Sequence, residues 1–340
     1  MHDAGDRNHR ILLAAWPVGV PEPGHFGSDV TAVPTPGPGQ LLLRTIYLSL
    51  DPAHRRAMQA GAAAAERLNP GDVMPGETVS QVLESRHPEY RPGEFVVSHN
   101  GWQQFALSSG QGMRRLDPGD APISTALGVL GMPGLAGYMG LVYLGEPRPG
   151  QSVVVSAATG PVGGTAGQAA RLMGARAIGI ASSNEKCAYA VNELGYSACI
   201  NYRSGALGER LAEVCPNGVD VYFDNAGGDV LTAVLHHLAP HARIILCGMN
   251  EAHHLEAPLP GSFLGPLIAA RATLRGVVAE DHLPRLPELV RVVGSWIRNG
   301  QFRYREDLSD GLASAPAAFC RLLRGENFGK VLVRVAAEHL

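Results

Sequence analysis

A chain of 340 residues with 45% hydrophobic and 17% charged residues is long enough for two cores and has an ordinary globular make-up. A formal net charge of −3 gives no electrostatic reason to expect nucleic acid or an anionic membrane as partner, and no apolar run reaches the roughly 18 residues that span a bilayer. The five cysteines, Cys187, Cys199, Cys215, Cys247 and Cys320, form no C-x-x-C pair, which argues against a disulfide framework or a four-cysteine zinc lobe. With a polar N-terminus, MHDAGDRNHR, they lead to the expectation of a cytoplasmic protein.

Residues 10–127 read as β-rich. Leu41–Leu48 and Glu94–Ser98 are strand-like, bounded by turns such as Pro34-Thr35-Pro36-Gly37-Pro38-Gly39 and Arg91-Pro92-Gly93. The Ala60–Ala65 run, AGAAAA, reads as an exposed loop or short helix. Near residue 150 the pattern changes to alternating units. Strand 152–156 leads to helix 161–174, strand 176–181 to helix 184–194, strand 198–200 to helix 204–214, and strand 219–224 to helix 229–238. Strands at 242–247 and 273–278 complete six, which predicts a parallel, doubly wound sheet. An amphipathic helix over 284–299 and a terminal strand at Val331–Val335 follow, the latter able to return to the first domain.

The first of these units carries a spaced set of small residues, Ala158-x-Gly160-x-x-Gly163, between strand and helix. In a dinucleotide site the second position must lack a Cβ so that a pyrophosphate can approach, and the third permits close helix–strand packing. The first needs only a tight turn, which alanine tolerates. Pro161 suits the first helical position, so the phosphate donors would be the N–H groups of Val162 and Gly163. The second strand ends at Ala181-Ser182-Ser183-Asn184, with no carboxylate at its tip to bind a ribose 2′-hydroxyl or repel a 2′-phosphate. Lys186 follows, one of only two lysines among 28 basic residues, and an ammonium in the first helical turn can reach a phosphate monoester. The reading is therefore NADPH. Its plain alternatives are a structural turn and a solvated lysine. A catalytic zinc is not expected: no cysteine precedes Cys187, Pro75-Gly76-Glu77 offers no histidine, and His25, His54, His87 and His99 lack ligand spacing.

Asn8-His9-Arg10, Tyr47-Leu48-Ser49-Leu50-Asp51-Pro52, Gly101-Trp102-Gln103, Leu127–Gly134, Ala157–Gly163, Glu185-Lys186-Cys187, Phe223–Gly228, Ala242–Gly248 and Asn327-Phe328-Gly329-Lys330 are the stretches that carry a resemblance. The chain resembles, essentially end to end, the zinc-independent medium-chain dehydrogenase/reductases of the leukotriene B4 dehydrogenase/prostaglandin reductase group, which includes NADP-dependent alkenal and enone reductases. That resemblance implies a GroES-like β-rich catalytic domain (1–127 with 303–340) and a six-stranded Rossmann NADPH-binding domain (128–302). It implies cofactor contacts from Met132 and Pro133, from Gly160, Pro161, Val162 and Gly163, and from Ala181, Ser182, Lys186 and Tyr202. Asn225, Cys247, Gly248, Met249, Val277, Val278, Ala279, Asn327 and Gly329 would complete the set. Asn225 could instead cap the following helix, and Asn327 could simply close a turn. A homodimer joined at the nucleotide-domain sheet edges is also implied.

Departures fall in the substrate half. Where the family usually has Tyr-Met-Arg after Asp-Pro, this chain has Ala53-His54-Arg55; Ala136 replaces a common threonine, and Ala279-Glu280-Asp281-His282 lacks the usual aromatic. The expected reaction is NADPH-dependent reduction of the C=C bond of an α,β-unsaturated ketone or aldehyde, with hydride delivered to the β-carbon and the enolate held by hydrogen-bond donors. Water can protonate the α-carbon, so no acid is obligatory. Tyr47 and His54 are the candidate catalytic groups, with packing or solvent contact as their plain alternative. Quinone reduction is the competing chemistry, and a non-catalytic NADPH sensor the competing class.

Overall fold

A computed structural model describes residues 7–59, 67–248 and 264–338, so the Ala60–Ala65 run lies outside the described residues. The chain divides into two compact units, Met1–Leu127 with Glu306–Leu340, and Gly128–Arg305.

In the first unit, short strands alternate with Pro/Gly turns. Its elements are β1 (Arg7–Leu13), β2 (Phe26–Ala32), β3 (Leu41–Ser49), the short helix α1 (His54–Ala57), β4 (Thr78–Ser85), β5 (Phe95–Ser98), β6 (Phe105–Ser108) and β7 (Arg114–Leu116). β1 and β2 form an antiparallel hairpin. Among the described residues the main sheet runs β14-β15-β3-β4-β5-β7, with β6 also on β3. Here β14 is Glu306–Asp310 and β15 is Lys330–Arg334, separated by helix α9 (Ala315–Leu323). The last strand does return: Val333 of β15 pairs antiparallel with Leu48 of β3. β3 is apolar along nearly its whole length because both faces are covered. Leu48 packs with Met58, Trp102, Phe319 and Val331, while Ile46 and Tyr47 pack with Val79, Phe95 and Leu332. Trp102 and Phe319 are fully buried and meet edge-to-face at 5.7 Å. Truncating such a ring costs roughly 3–5 kcal/mol, so this cluster anchors the unit.

In the second unit, helix α2 (Met132–Met139) precedes β8 (Ser152–Ser156), α3 (Pro161–Leu172), β9 (Arg176–Ala181), α4 (Asn184–Asn192), β10 (Ala198–Asn201) and α5 (Leu207–Val214). Then come β11 (Val219–Asp224), α6 (Gly228–Leu235), β12 (Leu238–Leu246), α7 (Leu264–Ala270), β13 (Thr273–Gly276) and α8 (Leu286–Arg298). The sheet is parallel throughout, in the order β10-β9-β8-β11-β12-β13. Every residue of β8 is buried, as a central parallel strand with helices on both faces requires. Strand order reverses between β8 and β11, the place where doubly wound sheets open a ligand crevice at their carboxyl ends.

Some element ends differ from the periodicity. α6 stops at Leu235, and β12 already begins at Leu238; the extra length is absorbed by a register shift between Val219 and Val221 and by His241 at φ 63°. Gly205 (φ 80°) breaks the expected helix over 204–214, so α5 starts at Leu207. A 3-10 turn over Ala279–Arg285, carrying Pro284, delays α8 to Leu286.

Candidate active site

The strand-to-helix turn after β8 separates the two glycine roles. A Cβ built on Gly160 would meet only the Ala157 carbonyl oxygen, at 3.5 Å. The chain itself leaves that face open, and an approaching phosphate needs that space. A Cβ on Gly163 would instead lie 2.4 Å from the Ala157 oxygen and 3.1 Å from Ala158 Cα, so this glycine lets α3 sit against the turn. Gly160 is the N-cap of α3 in extended backbone and Pro161 is its first residue. The helix then leaves the N–H groups of Val162 and Gly163 with no carbonyl of their own to reach. Tyr196 secures the turn from below: its buried hydroxyl donates to the Gly163 carbonyl at 2.8 Å. Ala157 takes the left-handed conformation (φ 49°), so the tight bend falls one residue before Ala158.

At the tip of β9, Ser183 caps α4 by accepting from the Lys186 N–H at 3.2 Å. The Lys186 ammonium folds back over the strand end and donates to the Ser182 hydroxyl, also at 3.2 Å. Ala181 pairs with Asn201 at the end of β10, which places Tyr202, in the following 3-10 turn, beside this corner. The Arg203 guanidinium lies over the Tyr202 ring, 5.8 Å from its centre. A cation and a hydroxyl thus meet at the β9 tip, an aromatic ring follows the end of the neighbouring β10, and Glu185 is exposed to solvent. That donor set suits a phosphate monoester.

Across the switch point stands a residue the sequence did not single out. Asp224 is fully buried at the end of β11. Its Oδ1 accepts from Ser156 Oγ (2.9 Å), Tyr222 OH (2.7 Å) and the Ala226 and Gly227 N–H groups (3.0 and 3.1 Å). Asn225 does not cap α6, whose N-cap is Gly227; its Nδ2 donates to the Ser156 carbonyl at 3.0 Å and its N–H to Ser156 Oγ at 2.7 Å. The Cys247 and Gly248 N–H groups both donate to the Asp224 carbonyl, at 2.9 and 3.2 Å. The tips of β8, β11 and β12 are therefore one hydrogen-bonded assembly that brings Asn225, Cys247 and Gly248 together. Burial, with the Asp224 charge adding to it, pushes the Cys247 thiol up to about 12, so this cysteine stays protonated. Val277 is buried and donates its N–H to the Leu246 carbonyl at 2.9 Å; Val278 is exposed, and Ala279 opens the 3-10 turn. Met132 and Pro133 form the half-buried first turn of α2. That helix reaches α3 because Gly137 has no side chain; a Cβ there would meet the Val162 carbonyl at 2.4 Å. Met249 lies outside the described residues.

Tyr47, His54, Asn327 and Gly329 belong to the other unit. The Tyr47 hydroxyl donates to Glu338 Oε1 at 2.5 Å; burial, reinforced by Glu338, raises its pKa. His54 packs near Phe319, its ring centre 6.3 Å away, and its Nδ1 is buried without a partner among the described residues. Burial lowers its pKa, opposed by the nearby Asp51 charge. Asp51 receives hydrogen bonds from the buried Lys330 ammonium and from Ser49. Burial works against the Asp51 carboxylate, yet Lys330 and His54 hold it below the usual range. The second lysine of the chain is thus a brace between β15 and the end of β3. Asn327 donates to the Gly329 carbonyl at 2.9 Å, closing a turn. The hydrogen bond of Tyr47 to Glu338 and the packing of His54 near Phe319 are different surroundings. Among the described residues no group of three or more His, Cys, Asp or Glu side chains could hold a metal ion.

Two family models match: the N-terminal domain of oxidoreductase over residues 9–116 and zinc-binding dehydrogenase over residues 161–295. The chain is 43% identical to the NADPH-dependent curcumin reductase of Escherichia coli, covering 98% of both chains. It is 35% identical to rat (Rattus norvegicus) prostaglandin reductase 1, over 93% of this chain and 95% of that one. The crystal structure of CurA in complex with NADPH, from Vibrio vulnificus, superposes with a TM-score of 0.92 at 40% identity, covering 97% of this chain and 100% of that one. With the switch-point strand order and the glycine turn in place, these likenesses show that the chain belongs to the zinc-independent medium-chain dehydrogenase/reductases, in the group of the curcumin and prostaglandin reductases.

Proposed function

We propose that this protein is an NADPH-dependent reductase of the C=C bond of α,β-unsaturated ketones and aldehydes. The observation that carries the reading is the pairing of an open Gly160 cradle with Lys186 and Ser182 at a carboxylate-free strand tip. Unit 128–305 would hold the cofactor, and the other unit, with Tyr47 and His54, would serve the substrate. When bound, NADPH supplies the hydride that reduces the β-carbon. The protein's part is placement. The N–H groups of Val162 and Gly163, aided by the positive end of the α3 dipole, hold the pyrophosphate. Lys186, Ser182 and Tyr202 hold the 2′-phosphate and adenosine end. Asn225, Cys247, Gly248 and Val277 border the nicotinamide end. Of the two candidate proton donors, Tyr47 keeps its proton throughout the neutral range, and His54, pushed toward its neutral form, presents one N–H. This protein would act on conjugated carbonyl compounds. The altered positions Ala53, Ala136 and Ala279–His282 would set which of them. A cytoplasmic homodimer fits this reading: β13 is an edge strand with all four residues exposed, open to pairing with a second copy.

The test is NADPH oxidation against a panel of enones, enals and quinones with wild type and Lys186→Ala. Loss of one charge-assisted contact predicts roughly 10- to 100-fold weaker NADPH binding with NADH unaffected. Equal use of NADH and NADPH by wild type, or an unchanged preference in the variant, refutes the phosphate assignment. Turnover of quinones without enones refutes the C=C assignment.

A further inference from the structure

The corner where α4 meets β10 carries two thiols that the reaction does not use. Cys187 follows Lys186 in the first turn of α4, Cys199 lies on β10, and their Sγ atoms are 2.9 Å apart, with the Cys199 thiol donating to Cys187. Both are free thiols. Cys199 stands opposite Gly179 of β9. A Cβ on Gly179 would come within 3.0 Å of Cys199 Sγ and 2.9 Å of Ala158 Cβ. Sulfur pair, sheet and phosphate turn are therefore packed against one another with no slack. Cys187 keeps 9% of its surface and Cys199 is half-buried, which admits a small oxidant. The hydrogen bond from Cys199 holds the Cys187 thiol below the usual range and pushes Cys199 up, so Cys187 is the member that ionises and attacks.

We propose that Cys187 and Cys199 are a reversible modification site for hydroperoxides, closing to a disulfide that loosens the Lys186 hold on the cofactor's 2′-phosphate. The Cys187 thiolate attacks the terminal peroxide oxygen; an S–O bond forms, the O–O bond breaks, and water (or an alcohol) leaves with a proton. Cys199 sulfur then attacks the sulfenic sulfur; the S–S bond forms, the S–O bond breaks, and a second water leaves. The two thiols lose two electrons and two hydrogens, and the peroxide takes them up. Two equivalents of a small thiol reverse the step by exchange. A disulfide is about 2.05 Å long, so the sulfurs must close by about 1 Å. That movement draws the first turn of α4 toward β10, and this turn carries the Lys186–Ser182 contact and the Ser183 cap. By reciprocity, bound NADPH protects the dithiol by the factor that oxidation weakens NADPH.

The inference rests on the assignment of Lys186 to the 2′-phosphate, and the experiment keeps the two apart. The full-length protein is treated with stoichiometric hydrogen peroxide, mapped as non-reduced peptides by mass spectrometry, and titrated with NADPH and with NADH. The expected result is a linked 187–199 peptide, roughly tenfold weaker NADPH binding, unchanged NADH binding, and recovery on adding dithiothreitol. Cys199→Ser and Cys187→Ser should bind NADPH equally well with and without peroxide. Absence of the linked peptide overturns the proposal, as does a linked protein with undiminished NADPH affinity. An equal peroxide response in Cys199→Ser also overturns it, because the effect then belongs to Cys215, Cys247 or Cys320. A fully reduced Lys186→Ala protein that retains its NADPH preference refutes the phosphate assignment instead, whatever the peptide map shows.

Discussion

Adding one methyl group at Gly163 and, separately, at Gly160 should damage two different properties. In Gly163→Ala the new Cβ points into backbone, 2.4 Å from the Ala157 oxygen and 3.0 Å from its carbonyl carbon. Neither is the flexible end of a side chain, so α3 or the turn must move. Overpacking of this kind costs up to about 3 kcal/mol, offset by about 1 kcal/mol for replacing glycine with alanine in a helix. The net of about 2 kcal/mol should lower Tm by roughly 4–8 °C for a unit of this size. In Gly160→Ala the backbone (φ −76°, ψ 170°) already suits alanine, and the Cβ finds free space. The fold should lose no more than about 1 kcal/mol, from the poorer N-cap. NADPH binding should nevertheless weaken by tenfold or more, about 1.4 kcal/mol, because the methyl occupies the approach to the pyrophosphate. Differential scanning fluorimetry reads the first effect, and titration of the nicotinamide fluorescence reads the second. A Gly160→Ala protein that binds NADPH like wild type would show that the open face is not the phosphate seat. A Gly163→Ala protein with unchanged Tm would refute the packing argument.

Two further outcomes are expected. Asp224→Asn removes the charge that gathers Ser156, Tyr222 and two backbone N–H groups, and turns an N–H₂ toward donors; it should cost roughly 2–3 kcal/mol, seen as a lowered urea midpoint at unchanged m-value. His54 has a folded pKa below its unfolded value, so the unfolded chain binds more protons and stability rises with pH. The His54 contribution is complete above the ordinary histidine range near ~6.5 and is lost as pH falls below it. Tm measured from pH 8 to pH 5 should drop less in His54→Gln than in wild type, and parallel curves would dismiss this account.

The nucleotide-binding half was legible because its signals are local. The Val153-Val154-Val155 run marks a strand buried on both faces, Gly160 and Gly163 mark the turn, and Ser182 with Lys186 mark the strand tip, all within a span of about 35 residues. Asp224 was not legible. A carboxylate at a strand end looks the same in sequence whether it faces water or binds Ser156 and Tyr222, and Ser156 lies 68 positions away. Tyr196 is similar: nothing near it in the chain announces that its hydroxyl supports Gly163. The cysteine pair is separated by 12 positions, on a helix and a strand, so only the fold brings the sulfurs together. Asn327 could contact a ligand or close a turn by sequence, and its own hydrogen bond is to Gly329. The β-rich unit was read less sharply, because its pairings join distant segments such as Leu48 and Val333.

The Asp224 clasp also makes the strand tips unlike one another. Its partners are hydroxyls and backbone N–H groups, which satisfy the oxygen atoms but bring no cation. The β8–β9 tips differ in kind: they offer the positive end of the α3 dipole and the Lys186 ammonium. A dinucleotide lying with its phosphates toward those tips would find there the donors that its charge requires, and at the β11 tip a rigid, fully hydrogen-bonded wall.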